Sequence, residues 1–157
     1  MYLDELPLEQ AEHWLVTWGF GGADFEALRA HAEEVYFPAR ANIFSQGDAA
    51  DGMYLVMKGM ALVFVTDAAG NEHTVGIVTE GQSFGELGLL IGQPRLATVA
   101  AGLDVELLKI TPGTLAKLEQ EQPELIMQMY KALAQTFAEQ WLRVGPWIIQ
   151  QRKAGHQ

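Results

Sequence analysis

The spacing of apolar residues changes twice along the chain. From Leu8 to about His31 they recur at helical intervals (Ala11, Trp14, Leu15 and Trp18, then Phe25 and Leu28), broken by Gly19, Gly21 and Gly22. Residues three and four apart share a helix face, so this stretch predicts two short helices joined by a glycine-rich turn. From Val35 to Ile110 the texture becomes short apolar runs at 35–37, 42–44, 53–57, 61–65, 74–78, 96–100 and 105–110. Ten of the 16 glycines fall in this zone, and several sit between runs, where tight turns favour a positive φ. Many short strands spaced by roughly 8–12 residues predict an antiparallel sandwich or barrel.

Beyond Thr111 the helical period returns. Thr111-Pro112 has the form of an N-cap and first helical residue, and Pro123 opens a second helix expected to stop at Gly145-Pro146. In that helix Ile126, Tyr130, Leu133, Phe137, Trp141 and Val144 step by three or four, while Leu125, Met129 and Ala132 on one side and Met127, Ala134 and Ala138 on the other widen the apolar surface. A helix apolar over more than half its circumference packs on two partners, here its own strands and a second subunit. The reading is an α+β chain forming a single domain over 1–157: N-terminal helices at 1–34, strands at 35–110, C-terminal helices at 111–145 and a tail at 146–157.

Charge narrows the partners. Twenty acidic residues against ten basic ones give a net charge of −10. The excess is −7 over 1–36, −4 over 37–110 and +1 over 111–157. Phosphate neutralisation needs a basic surface, so direct DNA binding is not expected. The absence of cysteine removes disulfides, thiolate nucleophiles and Cys-held metal sites. The N-terminus lacks the layout of a signal peptide, and no run approaches the about 18 consecutive apolar residues of a membrane span, so a soluble, cytoplasmic protein is expected. His13, His31, His73 and His156 are scattered without metal-ligand spacing, and no Ser-His-acid grouping or P-loop is present. Neither catalysis nor a cofactor is expected.

The candidate chemistry lies in 81–99. Between 59 and 108 the only Lys or Arg is Arg95, set among Asp67, Glu72, Glu80, Glu86, Asp104 and Glu106. The segment reads as a strand exit, a glycine-bounded turn, one helical turn at 86–90, a Gly-Gln-Pro turn and a strand re-entry. Gly85 and Gly88 let backbone approach a ligand, and the N–H groups opening a short helical turn attract anions. Arg offers a planar fork of donors to a phosphate, while an ionised Glu accepts from sugar hydroxyls. Taken as bare residues, Glu86 and Arg95 fit either a ribose-and-phosphate site or a structural ion pair across a loop.

Phe84-Gly85-Glu86-Leu87-Gly88, followed by Pro94-Arg95-Leu96-Ala97-Thr98-Val99, closely resembles the phosphate-binding cassette of cyclic-nucleotide-binding domains. That family includes the regulatory subunits of cAMP-dependent kinase, cyclic-nucleotide-gated channels and the bacterial catabolite activator group. The resemblance covers about residues 5–145, including the Gly47-Asp48 turn and the strand 54–59. It implies an eight-stranded antiparallel jelly-roll barrel flanked by N-terminal helices and a long C-terminal helix. It further implies that Arg95 pairs with a cyclic phosphate and Glu86 accepts the ribose 2′-OH. Backbone N–H groups of Gly85, Leu87, Gly88, Leu96 and Ala97 would line phosphate and sugar, with Val63 and Val75 beside the base.

The sequence departs from its relatives at Leu96, where many have Ala, Ser or Thr. The absence of a Thr hydroxyl there favours cAMP over cGMP. Gln140, Trp141, Arg143 and Trp147 are candidates to cap the base. Catabolite activators carry a helix-turn-helix after the long helix, and only 146–157 follow here. The implied protein is a cAMP-binding regulatory module acting through its C-terminal helices on a homodimer partner or separate effector. A ligand-independent scaffold with a degenerate site, and a regulatory piece of a larger channel, transporter or enzyme, stay open.

Overall fold

The computed structural model describes residues 16–17 and 22–155. The strands are β1 (Val16–Thr17), β2 (Glu33–Phe37), β3 (Asn42–Phe44), β4 (Met53–Lys58), β5 (Ala61–Thr66), β6 (Glu72–Val78), β7 (Gln82–Phe84), β8 (Thr98–Ala101) and β9 (Val105–Ile110). The helices are α1 (Gly22–Arg29), α2 (Glu86–Ile91), α3 (Pro112–Glu121) and α4 (Pro123–Ala154). Two antiparallel sheets form, in the orders β1-β7-β4-β9-β2 and β3-β8-β5-β6. Apart from the two-residue β1 at one edge, these are the eight strands of a jelly roll, arranged as two facing four-stranded sheets.

Strands β4 and β9 explain the layering. Successive side chains of a strand point to opposite faces. Tyr54 and Val56, with Val105 and Leu107, enter the core between the sheets beside Ala61, Val78, Phe84 and Val99. Met53 and Leu55, with Leu108 and Ile110, face the other way and pack with Leu28, Leu118, Leu125, Ile126, Met129 and Leu133 from the helices. Both strands therefore bury residues on both faces; β4 is apolar without a break from Met53 to Met57, whereas β9 carries Glu106 and Lys109 among its apolar residues.

Several boundaries differ from the sequence reading. Val16–Thr17 is a strand paired with β7, where a helix was expected; Ala11, His13, Trp14, Leu15 and Trp18 lie outside the described residues. Strand β7 lacks the apolar pattern because Ser83, buried within it, bonds Glu86 instead of contributing apolar surface. Strand β8 starts at Thr98 and not Leu96, because the Arg95 backbone is held to the 47–48 turn by two 2.8 Å bonds.

Thr111 caps α3 as expected, its hydroxyl accepting from the Thr114 N–H at 3.1 Å. Helix α4 runs through Gly145-Pro146 to Ala154, so the expected stop and tail are corrected. Proline already has helical φ; it removes one backbone bond, a local cost that a 32-residue helix with turns on both sides carries. The buried face of α4 is Leu125, Ile126, Met129, Leu133 and Val144, whereas Met127, Trp141 and Leu142 are exposed. Trp141 thus leaves the stripe it was assigned to.

His31 ties α1 to α3. Its Nδ1 faces the Ala27 carbonyl at 3.0 Å and its Nε2 faces a Glu121 carboxylate oxygen at 2.5 Å. Both partners are acceptors, so the doubly protonated ring satisfies both. The Glu121 bond first, and the Ala27 carbonyl second, raise the His31 pKa above its ordinary 6.5, against desolvation and the charge of Lys117. A cation favoured in the folded state stabilises fully below the unfolded pKa and loses that contribution as pH rises through the folded one. In urea unfolding between about pH 6 and about pH 8, the native protein is expected to lose stability that a His31→Gln variant does not. Parallel pH profiles for the two proteins would contradict this.

Candidate functional site

The site is assembled around a buried arginine. Arg95 is only 4% exposed. Its Nη1 donates to the Gly85 carbonyl at 3.1 Å, and its Nη2 donates to the Gly52 carbonyl at 2.6 Å and to Asp51 Oδ1 at 3.2 Å. The guanidinium carbon lies 4.0 Å from the centroid of the Phe44 ring, a cation–π contact that Tyr54 and Phe84 extend by packing against Phe44. Three of the five guanidinium N–H groups are thereby used. The Nε is buried without a partner. A buried unpaired donor is costly, and at a ligand site it is a place held for an incoming acceptor.

Glycine makes this approach possible. Gly85 precedes α2 at φ 83°, in the left-handed region, with no side chain capping the helix. A Cβ on Gly85 would sit 2.7 Å from Arg95 Nη1. A Cβ on Gly88 would collide with the Ala50 methyl and lie 3.3 Å from the same nitrogen. The arginine therefore lies directly under the opening turn of α2, whose first backbone N–H groups, those of Leu87 and Gly88 included, have no partners within the helix.

Glu86 is 8% exposed and accepts from the Ser83 hydroxyl. Burial raises its pKa, opposed by the Ser83 bond, its own backbone N–H and the charge of Arg95. Among the described residues Arg95 forms its ion pair with Asp51, and no Glu86–Arg95 ion pair occurs. The simple ion pair across the loop is thus not formed: Arg95 is paired with Asp51, and Glu86 with Ser83.

Asp51 and Lys109 are the residues that sequence reasoning missed. Lys109 Nζ donates to Asp51 Oδ2 at 2.7 Å. That bond, with the charges of Lys109 and Arg95, lowers the Asp51 pKa against desolvation, and it raises that of Lys109. The only available signal was the Asp51-Gly52 pair at the entrance to β4; nothing in the sequence connects it to Lys109, 58 residues away.

The remaining candidates sit nearby to different degrees. Leu96 is exposed and Ala97 half-buried in the loop between Arg95 and β8. Val63, half-buried, pairs with Gly76 on one side and Val99 on the other. Val75 is the extra residue of a β-bulge, since Val63 pairs with Gly76 and Phe64 with Thr74. Trp141 is exposed on α4; the side chains of Gln140, Arg143 and Trp147 lie outside those described. Asp67 closes the β5–β6 hairpin through His73 at 2.8 Å and two backbone N–H groups, which hold its pKa at about 2. Among the described residues no helix is long and apolar enough to cross a membrane, and no group of three or more His, Asp or Glu residues forms a metal site.

The family model for the cyclic nucleotide-binding domain matches residues 34–122, more than half of the chain. The chain belongs to the cyclic nucleotide-binding domain family. It is similar to the cAMP-dependent protein kinase regulatory subunit of Dictyostelium discoideum, with 36% identity over 98 residues, 62% of this chain and 30% of that protein. It is also similar to the cAMP-activated global transcriptional regulator CRP of Salmonella typhimurium, with 29% identity over 110 residues, 69% of this chain and 52% of that protein. The chain thus spans about half or less of the length of these curated relatives. The crystal structure of the Thermus thermophilus catabolite activator protein superposes with a TM-score of 0.73 at 27% identity, covering 82% of this chain and 61% of that one. The jelly roll and its helices agree with the fold expected from sequence.

Replacing Gly88 tests the closeness of this packing. Gly88→Ala forces either α2 or the Ala50 loop to move, and is expected to cost about 1–3 kcal/mol in urea unfolding, the usual range for overpacking. A variant as stable as the native protein would show that α2 does not rest on the Ala50 loop.

Proposed function

We propose that this cyclic nucleotide-binding domain, read as one unit over 1–157, takes cAMP and acts as a regulatory module in the cytoplasm. The observation that carries this is the buried Arg95 with its vacant Nε donor, under the glycine-lined opening of α2 and alongside the buried Glu86. An exocyclic phosphate oxygen accepts from Arg95. Backbone N–H groups of Gly85, Leu87, Gly88, Leu96 and Ala97 supply further donors. One Glu86 oxygen is engaged by Ser83, and the other accepts the ribose 2′-OH. Val63 and Val75 flank the base, and Leu96, which has no hydroxyl for guanine, favours cAMP over cGMP. The role is binding and not catalysis.

Signalling follows by population shift: a ligand that touches the C-terminal helices in one state only will favour that state. Ile91 and Leu96 are exposed, giving those helices an apolar surface to close on. Met127, Trp141, Leu142 and Ile149, exposed on α4, support a homodimer through that helix. The net charge of −10 argues against direct DNA binding.

Calorimetric titration is expected to show cAMP binding more tightly than cGMP, and Arg95→Gln to weaken it by at least about 30-fold, as for truncating one partner of a buried charge pair. No heat with either nucleotide would overturn the reading. Light scattering is expected to give twice the chain mass, with a change in shape or mass on adding cAMP. A monomer under both conditions would remove the dimer, and a ligand-indifferent oligomer that binds no nucleotide would favour the scaffold.

A further inference from the structure

Lys109 has no part in the binding scheme above, yet it stands one carboxylate away from the phosphate-facing guanidinium. Asp51 bridges the two cations: Oδ1 accepts from Arg95 Nη2 at 3.2 Å and Oδ2 from Lys109 Nζ at 2.7 Å. Lysine ordinarily keeps its ammonium in water. The Lys109 side chain is instead 19% exposed and its ammonium lies 5.7 Å from the centroid of the Tyr54 ring, whereas the Asp51 side chain is 63% exposed. The lysine is the more enclosed partner of the pair, and the aspartate the more exposed one.

Left to itself, Asp51 would oppose an anionic ligand in two ways. Its charge would offset that of Arg95 where the phosphate arrives. Its exposed carboxylate would also be free to turn both oxygens onto the guanidinium fork, a favoured Arg–carboxylate geometry that would occupy the donors meant for the ligand. Lys109 counters both, because it neutralises the carboxylate and holds one of its two oxygens away from Arg95.

We infer that Lys109 is a positioning residue for the phosphate site, setting the affinity for a cyclic nucleotide phosphate by keeping Asp51 neutralised and limited to one contact with Arg95. The inference rests on the reading of Arg95 as a nucleotide-phosphate donor. It differs from a purely structural role for Lys109 because its effect must pass through the Asp51 carboxylate.

A double-mutant cycle read by cAMP calorimetry tests it. Lys109→Met is expected to weaken cAMP binding about five- to tenfold, the effect of one uncompensated charge about 6–8 Å away at an effective dielectric near 40. Lys109→Arg is expected to stay within about twofold of the native affinity, since it keeps the charge. In an Asp51→Asn background Lys109→Met is expected to change affinity by less than about twofold, because the charge it compensates is gone. An unchanged affinity for Lys109→Met, or an equal loss in both backgrounds, overturns the inference while leaving the site reading intact. Failure of the native protein to bind cAMP overturns the site reading and this inference with it. Thermal unfolding checks that each variant folds, and Lys109→Gln takes the place of the methionine variant if that one does not.

Discussion

A guanidinium buried in a small domain constrains everything around it. Desolvating a charge costs several kcal/mol unless acceptors replace the lost water, so the chain around Arg95 must present them. It does so from three places distant in sequence: Asp51 and the Gly52 carbonyl before β4, the Gly85 carbonyl before α2, and the face of Phe44 in β3. The two backbone bonds between Arg95 and the 47–48 turn fix the same loops from the other side. Glycine at 85 and 88 follows from this, since a side chain at either position would meet the guanidinium or the Ala50 loop. Such a cluster does not exist apart from the fold, and it leaves the Arg95 Nε without a partner.

The strands that carry the site also carry the helices. β4 begins next to Asp51-Gly52, places Tyr54 within the sandwich in a stacked contact with Phe84, and turns Leu55 outward into the cluster that holds Leu125, Ile126 and Met129 of α4. β9 does the same with Leu107 inward and Leu108 outward, and adds Lys109 at the site. Cassette and long helix therefore share two strands that are packed on both faces. Close-packed interiors transmit displacement instead of absorbing it, so the loops that hold Arg95 and the buried face of α4 are mechanically joined through these strands.

How much of this was legible in advance varied with the range of the interaction. The helical turn at Glu86, the Thr111 cap and the core-facing residues of β4 all come from local chemistry: spacing, a capping hydroxyl, an unbroken apolar run. The departures arise where a local signal was outweighed. Pro146 reads as a stop, but an established helix continues through it. Leu96-Ala97 reads as strand, but the anchored Arg95 backbone holds it as loop. Gln82-Ser83-Phe84 reads only as a strand exit and is absent from the apolar runs, because a buried serine bonding a buried glutamate leaves no hydrophobic trace.

By itself the sequence determined which residues are present to do chemistry: one basic side chain in an acidic β-rich zone, a glutamate nine residues before it, and glycines that permit close backbone approach. Local rules of spacing and backbone freedom suffice for that. Only the tertiary structure decided the partnerships, giving Arg95 to Asp51 and not Glu86, Glu86 to Ser83, and Lys109 to a carboxylate 58 residues earlier. Charge pairing in a folded protein is settled by which groups the packing of the strands brings within about 3 Å, and separation along the chain carries no record of it.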